Sequence, residues 1–291
     1  MNDKHAYCII AHNEPLILEK LVKLIDDERN DIYVLIDLKA DISVFRCIRT
    51  WKSGLFFIPR IDIRWGTISQ IRAELELFKF ASKKRYLYYH LLSGVDLPLK
   101  SQDYIHDFFQ KNKGREFVGF TQDKKNMADL TRKTSYYHFF LENYKSNKNI
   151  DRNISHVIHK FLLQVQVLFH IKRTYDIELK KGCNWCSITN EFCSYLLEKE
   201  KYILEIFKYT LCGDEIFLQS ILWNSPFRNN IYNLSDEFTS CMREIDWVRG
   251  NPYVWQDLDF EYLMSSNKLF ARKFSSFDKM IVDKICKYLK N

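Results

Sequence analysis

The chain has 291 residues, of which 46% are hydrophobic and 15% are aromatic, and this composition excludes an intrinsically disordered protein. Its formal net charge of +7 favours an anionic partner, such as a nucleotide diphosphate, a nucleic acid or an acidic membrane surface. Because the basic residues are dispersed along the chain, the charge pattern argues against nucleic acid.

The sequence contains no segment typical of membrane insertion or secretion. No apolar run reaches the roughly 18 residues that a spanning helix needs, and residues 1–12 lack the features of a signal peptide. Eight cysteines are scattered along the chain, and Cys183 and Cys186 form a C-x-x-C pair without a second pair nearby. We therefore expect a cytoplasmic protein with free thiols and no zinc site.

The first third of the chain alternates β-branched or aromatic runs with helical patterns, which is typical of βα units and a mainly parallel sheet. Residues 123–152 show no clear period and are predicted to form an irregular insertion. Apolar residues from Ile154 to Phe169 recur at helical spacing, which predicts a helix that packs on the core or, alternatively, lies on a membrane. The remaining predicted elements are strands over 6–11, 32–36, 55–58, 86–92 and 117–120, and helices over 15–24, 67–81 and 101–112.

Eight separated segments carry the functional signal, and they span most of the chain. They are AHNEP (11–15), VLIDLKAD (34–41), RWGTISQIRAELEL (64–77), LLSGVDLPLKS (91–101), GCNWCSIT (182–189), CGDEIFLQSIL (212–222), REIDW (243–247) and LFARKF (269–274). In this order they resemble glycosyltransferase family 14, which comprises the core-2/I-branching β-1,6-N-acetylglucosaminyltransferases and peptide O-xylosyltransferases, with shorter bacterial relatives.

The resemblance implies a single domain over 1–291 with the GT-A type, Rossmann-like α/β fold, in which helices flank a mainly parallel sheet. Residues 1–122 would form its nucleotide-binding half and 123–291 its acceptor-binding and catalytic half. The implied reaction is inverting transfer of GlcNAc, or of another UDP-linked sugar, to a glycan or lipid-linked oligosaccharide. We expect this reaction in bacterial surface polysaccharide or glycoconjugate synthesis, with peripheral contact at the inner face of the plasma membrane.

Glu215 matches the catalytic acidic position of the family. As general base it would remove the proton of the acceptor hydroxyl, and the apolar residues from Phe217 onward place it in the first turn of a helix. Acidic residues at helix starts more commonly stabilise the helix dipole. Asp214 is the neighbouring candidate for the general base.

The family lacks the metal-binding D-x-D motif, and the corresponding stretch here ends in a single carboxylate, Asp96. Without a metal the leaving diphosphate needs fixed cations, and the resemblance assigns this role to Arg272 and Lys273. The one literal D-x-D, Asp257–Asp259, lies in an aromatic, acidic stretch where we expect solvated carboxylates. We therefore expect neither a metal nor another cofactor.

The remaining donor contacts are expected in the amino-terminal half. Asp37 follows a predicted strand and is placed to accept hydrogen bonds from ribose or uracil, although Leu35 replaces a histidine that the family often has. Trp65 aligns with an aromatic position that packs on the base. The predicted donor set is Ala11, His12, Asp37, Trp65, Ser93, Gly94, Asp96, Arg272 and Lys273.

For the acceptor, aromatic side chains are predicted to pack against the apolar face of a sugar ring. The predicted acceptor set is Trp185, Trp247, Arg243 and Asp214. Two alternatives stay open: a metal-dependent transferase that uses Asp96 or the pair at 257 and 259, and a non-catalytic module that binds carbohydrate or nucleic acid.

Overall fold

The computed structural model describes residues 3–145 and 148–290. The strands are β1 (His5–Ala11), β2 (Asn30–Ile36), β3 (Gly54–Phe57), β4 (Tyr88–Ser93), β5 (Asp96–Pro98), β6 (Ser187–Thr189), β7 (Arg243–Ile245) and β8 (Phe270–Arg272). The α-helices are α1 (Pro15–Leu24), α2 (Ile68–Ala81), α3 (Gln102–Lys111), α4 (Lys124–Thr134), α5 (Asn149–Leu168), α6 (Asn190–Glu198), α7 (Glu200–Ile206), α8 (Phe217–Trp223), α9 (Glu237–Cys241), α10 (Phe260–Ser265) and α11 (Lys279–Tyr288).

The main sheet has the strand order β3-β2-β1-β4-β6. Its first four strands are parallel, and the short β6 joins β4 in antiparallel orientation. Both faces of β1 are covered, because Tyr7, Ile9 and Ala11 point into one apolar core and Ala6 and Cys8 into another. The predicted α/β architecture with a mainly parallel sheet and flanking helices is confirmed.

Each face of the main sheet is covered by its own group of helices. Helices α1, α3 and α11 contribute apolar side chains to one core, whereas α2, α6 and α8 contribute to the other. Helix α2 begins where Thr67 accepts a hydrogen bond from the Ser69 amide, and α3 begins where Ser101 accepts one from the Tyr104 amide. These caps fix the first turns of both helices.

A second sheet joins distant parts of the chain. It has the order β5-β8-β7, and its register pairs Asp96 on β5 with Arg272 on β8. Each of the two sheets therefore contains strands from both predicted halves. The division at residues 122 and 123 stays a prediction.

Two predicted elements are wrong. Residues 117–120 form no strand, since Glu116 and Phe117 make only isolated bridges to Ile231 and Ser187. The predicted irregular stretch contains α4, which Asp123 caps by accepting a hydrogen bond from the Lys125 amide. The buried side of α4 includes a lysine and a threonine, and hydrophobic periodicity cannot detect such a face.

Three buried histidines meet beside α3. His90 Nε2 lies 3.0 Å from His5 Nδ1, at hydrogen-bond distance. The His5 ring stacks on that of His106 at a centroid distance of 4.1 Å. His90 also bonds to Ser187 and His106 to Asn30. Burial lowers the pKa of all three imidazoles, that of His106 to about 4.

These histidines should make the fold sensitive to acid. Because the unfolded chain protonates its histidines below a pH of about 6.5 and folded His106 stays neutral to about pH 4, His106 should cost about 1.4 kcal/mol of stability per pH unit over this range. His5 and His90 should act in the same direction, since burial lowers the pKa of both. His106→Gln should make the pH dependence of the free energy of unfolding less steep, which urea denaturation between pH 7 and pH 4.5 measures. The exposed His156, changed to Gln, is the matched control, and equal slopes for both variants would contradict this account.

Candidate active site

The carboxyl ends of β1, β2 and β4 open into a cavity of about 760 Å³, here called the first cavity. Open α/β sheets bind their ligands at this edge. An adjoining second cavity of about 450 Å³ lies toward α4 and the turn before α8. Both cavities are lined by Trp65, Gln70, Asn184, Trp185 and Arg272.

Asp37 lines the first cavity at the end of β2. Its amide donates to the Ala11 carbonyl at 2.9 Å, and its carboxylate accepts from Lys39 Nζ at 2.8 Å. Lys39 also contacts Asp62 at 2.9 Å and lines the cavity together with His12. Sequence reasoning missed Lys39, although it lies in the same segment as Asp37.

The turn after β4 shapes the floor of the first cavity. The Gly94 amide donates to the Ile10 carbonyl at 2.8 Å, and a Cβ atom at Gly94 would lie 2.7 Å from the Ala11 Cβ. Ala11 is itself buried, and of this turn only Ser93 lines the cavity. Ala11 and Gly94 let two strand ends approach closely, and their predicted donor contacts stay predictions.

Asp96 does not face the cavities. Its buried carboxylate accepts from the Ser93 amide and from Arg272 Nη1, both at 2.8 Å. Burial raises the pKa of Asp96, although the Arg272 guanidinium opposes this shift. The predicted donor contact is corrected to a positioning role, because the carboxylate is already committed to Arg272.

Arg272 links the two cavities. Besides its ion pair with Asp96, its guanidinium lies over the Trp185 ring at 4.4 Å from the centroid, a cation–π contact. Lys273 differs, since it lines neither cavity and its backbone bonds to Tyr253 and Trp255. Of the two predicted phosphate ligands, the structure places only Arg272 beside the cavities.

Glu215 lines the second cavity in a short 3-10 turn, Gly213–Glu215, just before α8 rather than in its first turn. Its carboxylate contacts Lys133 Nζ at 2.6 Å and Lys181 Nζ at 3.5 Å. Asp129 contacts both lysines, at 2.9 and 3.1 Å. Sequence reasoning missed all three partners, because they lie on α4 and on the strandless segment before β6.

Asp214 also lines the second cavity, but it is buried. Its buried carboxyl accepts from Gln70 Nε2 at 2.8 Å, and its Oδ1 has no partner among the described residues. Burial and the neighbouring Glu215 raise the pKa of Asp214 to about 7, and burial with Asp214 raises that of Glu74 well above its ordinary value. Of these two neighbours Glu215 is the more exposed, since 35% of its side chain is accessible whereas Asp214 is 5% exposed.

The predicted acceptor residues separate into two groups. Trp185, Trp247 and Asp214 line the second cavity, and Trp247 is half exposed. Arg243 is buried and donates to the Leu91 and Cys186 carbonyls and to Ser187 Oγ. Its prediction as an acceptor anchor is wrong, because backbone oxygens of the sheet already occupy its guanidinium.

Trp65 has an exposed ring at the border of both cavities. The ring stacks on Tyr144 with centroids 6.1 Å apart, and Lys145 Nζ lies 3.7 Å from its centroid. A base that stacked on the face of Trp65 that Lys145 covers would have to displace the ammonium.

The carboxylates of the literal D-x-D are engaged elsewhere. Asp257 pairs with Lys284 at 2.7 Å, and Asp259 pairs with Arg249 at 2.7 Å while capping the turn that starts after Gln256. The expectation of solvated carboxylates is thus corrected to two ion pairs. Within 3–145 and 148–290, no group of three or more His, Cys, Asp or Glu side chains is arranged to hold a metal ion.

The fold and these cavities define an α/β protein with an aromatic- and charge-lined cleft at the carboxyl edge of its sheet. The family model of the Core-2/I-Branching enzyme matches residues 5–264, and the chain belongs to this family. The predicted resemblance is confirmed.

Individual relatives are more distant. The chain is 23% identical over 277 residues to the Xylosyltransferase oxt of Drosophila pseudoobscura pseudoobscura and 22% identical to that of Drosophila melanogaster. Each match covers 85% of this chain but spans only 28% of the relative's length. The apo crystal structure of mouse Xyloside xylosyltransferase 1 aligns over 92% of this chain and 97% of its own, with 11% identity and a TM-score of 0.40.

Proposed function

We propose that this chain is an inverting glycosyltransferase that moves a sugar from a nucleotide donor to a glycan hydroxyl. One observation carries the proposal: Arg272 lines both cavities, one of which contains Asp37 and the other Glu215. The Arg272 side chain therefore lies between a nucleotide-binding candidate and a general-base candidate. The family membership supports the same reaction class.

In the first cavity, Asp37 would accept hydrogen bonds from ribose or uracil and Trp65 would stack on the base. Ser93 and His12 would line the sugar-diphosphate path. We propose UDP-GlcNAc as the donor, with UDP-xylose as the alternative that the names of the fly relatives favour.

In the second cavity, Glu215 would take the proton of the acceptor hydroxyl as its oxygen attacks the anomeric carbon from the face opposite the nucleotide. The new carbon–oxygen bond forms while the bond to the diphosphate breaks, and this displacement yields a β-linkage from an α-linked donor. Lys133 and Lys181 would orient the Glu215 carboxylate. Trp185 and Trp247 would pack against the acceptor sugar.

The leaving diphosphate gains negative charge, and we propose that Arg272 stabilises it without a metal. The ion pair of Asp96 with Arg272 supports this part of the proposal, since a carboxylate that neutralises an arginine is a poor metal ligand. We assign no diphosphate contact to Lys273, because it lines neither cavity.

The biological setting is a further part of the proposal. We place the reaction in the synthesis of a bacterial surface polysaccharide or glycoconjugate, with a lipid-linked acceptor at the inner face of the plasma membrane. The net charge of +7 is compatible with such a surface.

Replacing the general base should abolish turnover but not donor binding. We expect Glu215→Gln to lower the rate of UDP release from UDP-sugars by at least about 100-fold, because a general base typically contributes this much. Glu198→Gln, an exposed change on α6, is the matched control. If the donor binds and Glu215→Gln releases UDP at the wild-type rate, the chain has no catalysis through Glu215, and absence of any release in the wild type favours a binding module.

Arg272 should dominate diphosphate binding. Because removing it alone leaves a buried carboxylate unpaired, Arg272→Ala is made together with Asp96→Asn and compared with Asp96→Asn alone. Calorimetric titration with UDP should show at least about a tenfold loss of affinity, as expected for one charge-assisted hydrogen bond. Lys273→Ala should leave the affinity nearly unchanged, and the opposite ranking would move the diphosphate site to Lys273.

Chelation should leave the reaction intact. UDP release should proceed at the same rate in EDTA as without it, because the proposed charge stabilisation uses Arg272. Loss of activity in EDTA that manganese restores would instead support the metal-dependent alternative.

A further inference from the structure

Helix α5 packs against the protein through polar side chains. Its buried residues are Ser155, His159 and Gln166. The Gln166 side chain accepts a hydrogen bond from the Tyr137 amide at 2.8 Å and donates one to the Tyr137 carbonyl at 2.9 Å. Ser155 and His159 bond to the carbonyls of Phe140 and Phe139, in the segment before α5. The prediction of a core-facing apolar side is therefore wrong, because hydrogen bonds hold the polar side inward.

The apolar side of α5 faces outward. One stripe along the helix, here called the α5 stripe, contains Ile150, Ile154, Val157, Phe161 and Leu168. The Phe161 and Leu168 side chains are 61% and 72% exposed, and the stripe continues into the exposed Phe169 and Ile171. Contiguous apolar surface of this kind marks an interaction site.

The charges around the α5 stripe identify its partner. Between positions 145 and 173 the sequence has six lysines and arginines but one acidic residue. Lys160 and Lys172 are exposed beside the stripe. A second copy of the chain would bring like charges together, which disfavours association, whereas anionic lipid headgroups would match this charge while acyl chains cover the apolar side chains.

The α5 stripe lies close to the cleft. The ring of His156 on α5 packs on the Tyr144 ring, with their centroids 4.0 Å apart. Tyr144 in turn stacks on Trp65, which lines both cavities. No helix within the described ranges is both long and apolar enough to cross a bilayer. Contact with a membrane would therefore be made by a surface, and a 20-residue helix offers about 30 Å for it.

We propose that α5 lies in the interface of an anionic phospholipid bilayer and holds the mouth of the cleft at the membrane surface. Delivery of a membrane-held acceptor to Glu215 rests on the proposed function, whereas bilayer binding itself does not. The interaction combines burial of the α5 stripe with electrostatic attraction of the flanking lysines.

Vesicle flotation with the full chain tests this proposal. Wild type should bind vesicles of phosphatidylglycerol and phosphatidylcholine but not phosphatidylcholine alone. Phe161→Ser with Leu168→Ser should weaken binding at least about tenfold, because two large apolar side chains no longer enter the bilayer. Lys160→Glu with Lys172→Glu should weaken it and reduce its sensitivity to salt. Trp51→Ser is the control, since Trp51 is a large apolar side chain that is 93% exposed and lies outside α5.

Three outcomes overturn the proposal. They are no binding of the wild type to anionic vesicles, equal binding of the Phe161/Leu168 double variant and the Trp51 variant, and a concentration-dependent dimer that the double variant abolishes in sedimentation velocity. UDP release in solution needs no vesicles, so it separates this failure from failure of the proposed function. Retained UDP release in the double variant also shows that its fold is intact.

Discussion

The ion pair between Asp96 and Arg272 is the contact on which the site depends. It joins β5 to β8 across 176 positions of sequence and holds the guanidinium over Trp185, between the two cavities. Asp96 is buried, and a buried carboxylate is tolerated only with a well-placed partner. Folding and cation placement are thereby linked, since the chain cannot bury Asp96 favourably unless Arg272 occupies its site.

Much of this arrangement was predictable, for identifiable physical reasons. Alternating strand and helix periodicities specify the parallel sheet, and the ends of its strands bring short linear segments such as those containing Asp37 and Ser93 to one edge. Lys133 could not be found in this way, because it reaches Glu215 from a helix whose buried side is partly charged. Arg243 was misassigned because a sequence does not reveal when backbone carbonyls already satisfy an arginine.

Helix α5 shows a different limit of sequence patterns. The spacing of Ile154, Val157 and Phe161 reveals a stripe, but it does not tell whether the stripe faces inward or outward. Three polar residues decide the matter by bonding to the segment before the helix, and their donors and acceptors are recognisable only once that segment is in place. The same apolar residues then become a surface instead of a core.

The close approach of Gly94 to Ala11 has a consequence for how the cleft adapts to its ligand. A side chain at position 94 would collide with Ala11, so the two strand ends at the base of the first cavity are closely packed. Four further lining residues, Leu141, Glu142, Asn143 and Lys145, come from a segment outside every strand. We therefore expect this segment, and not the strand ends, to change position when sugars of different size bind.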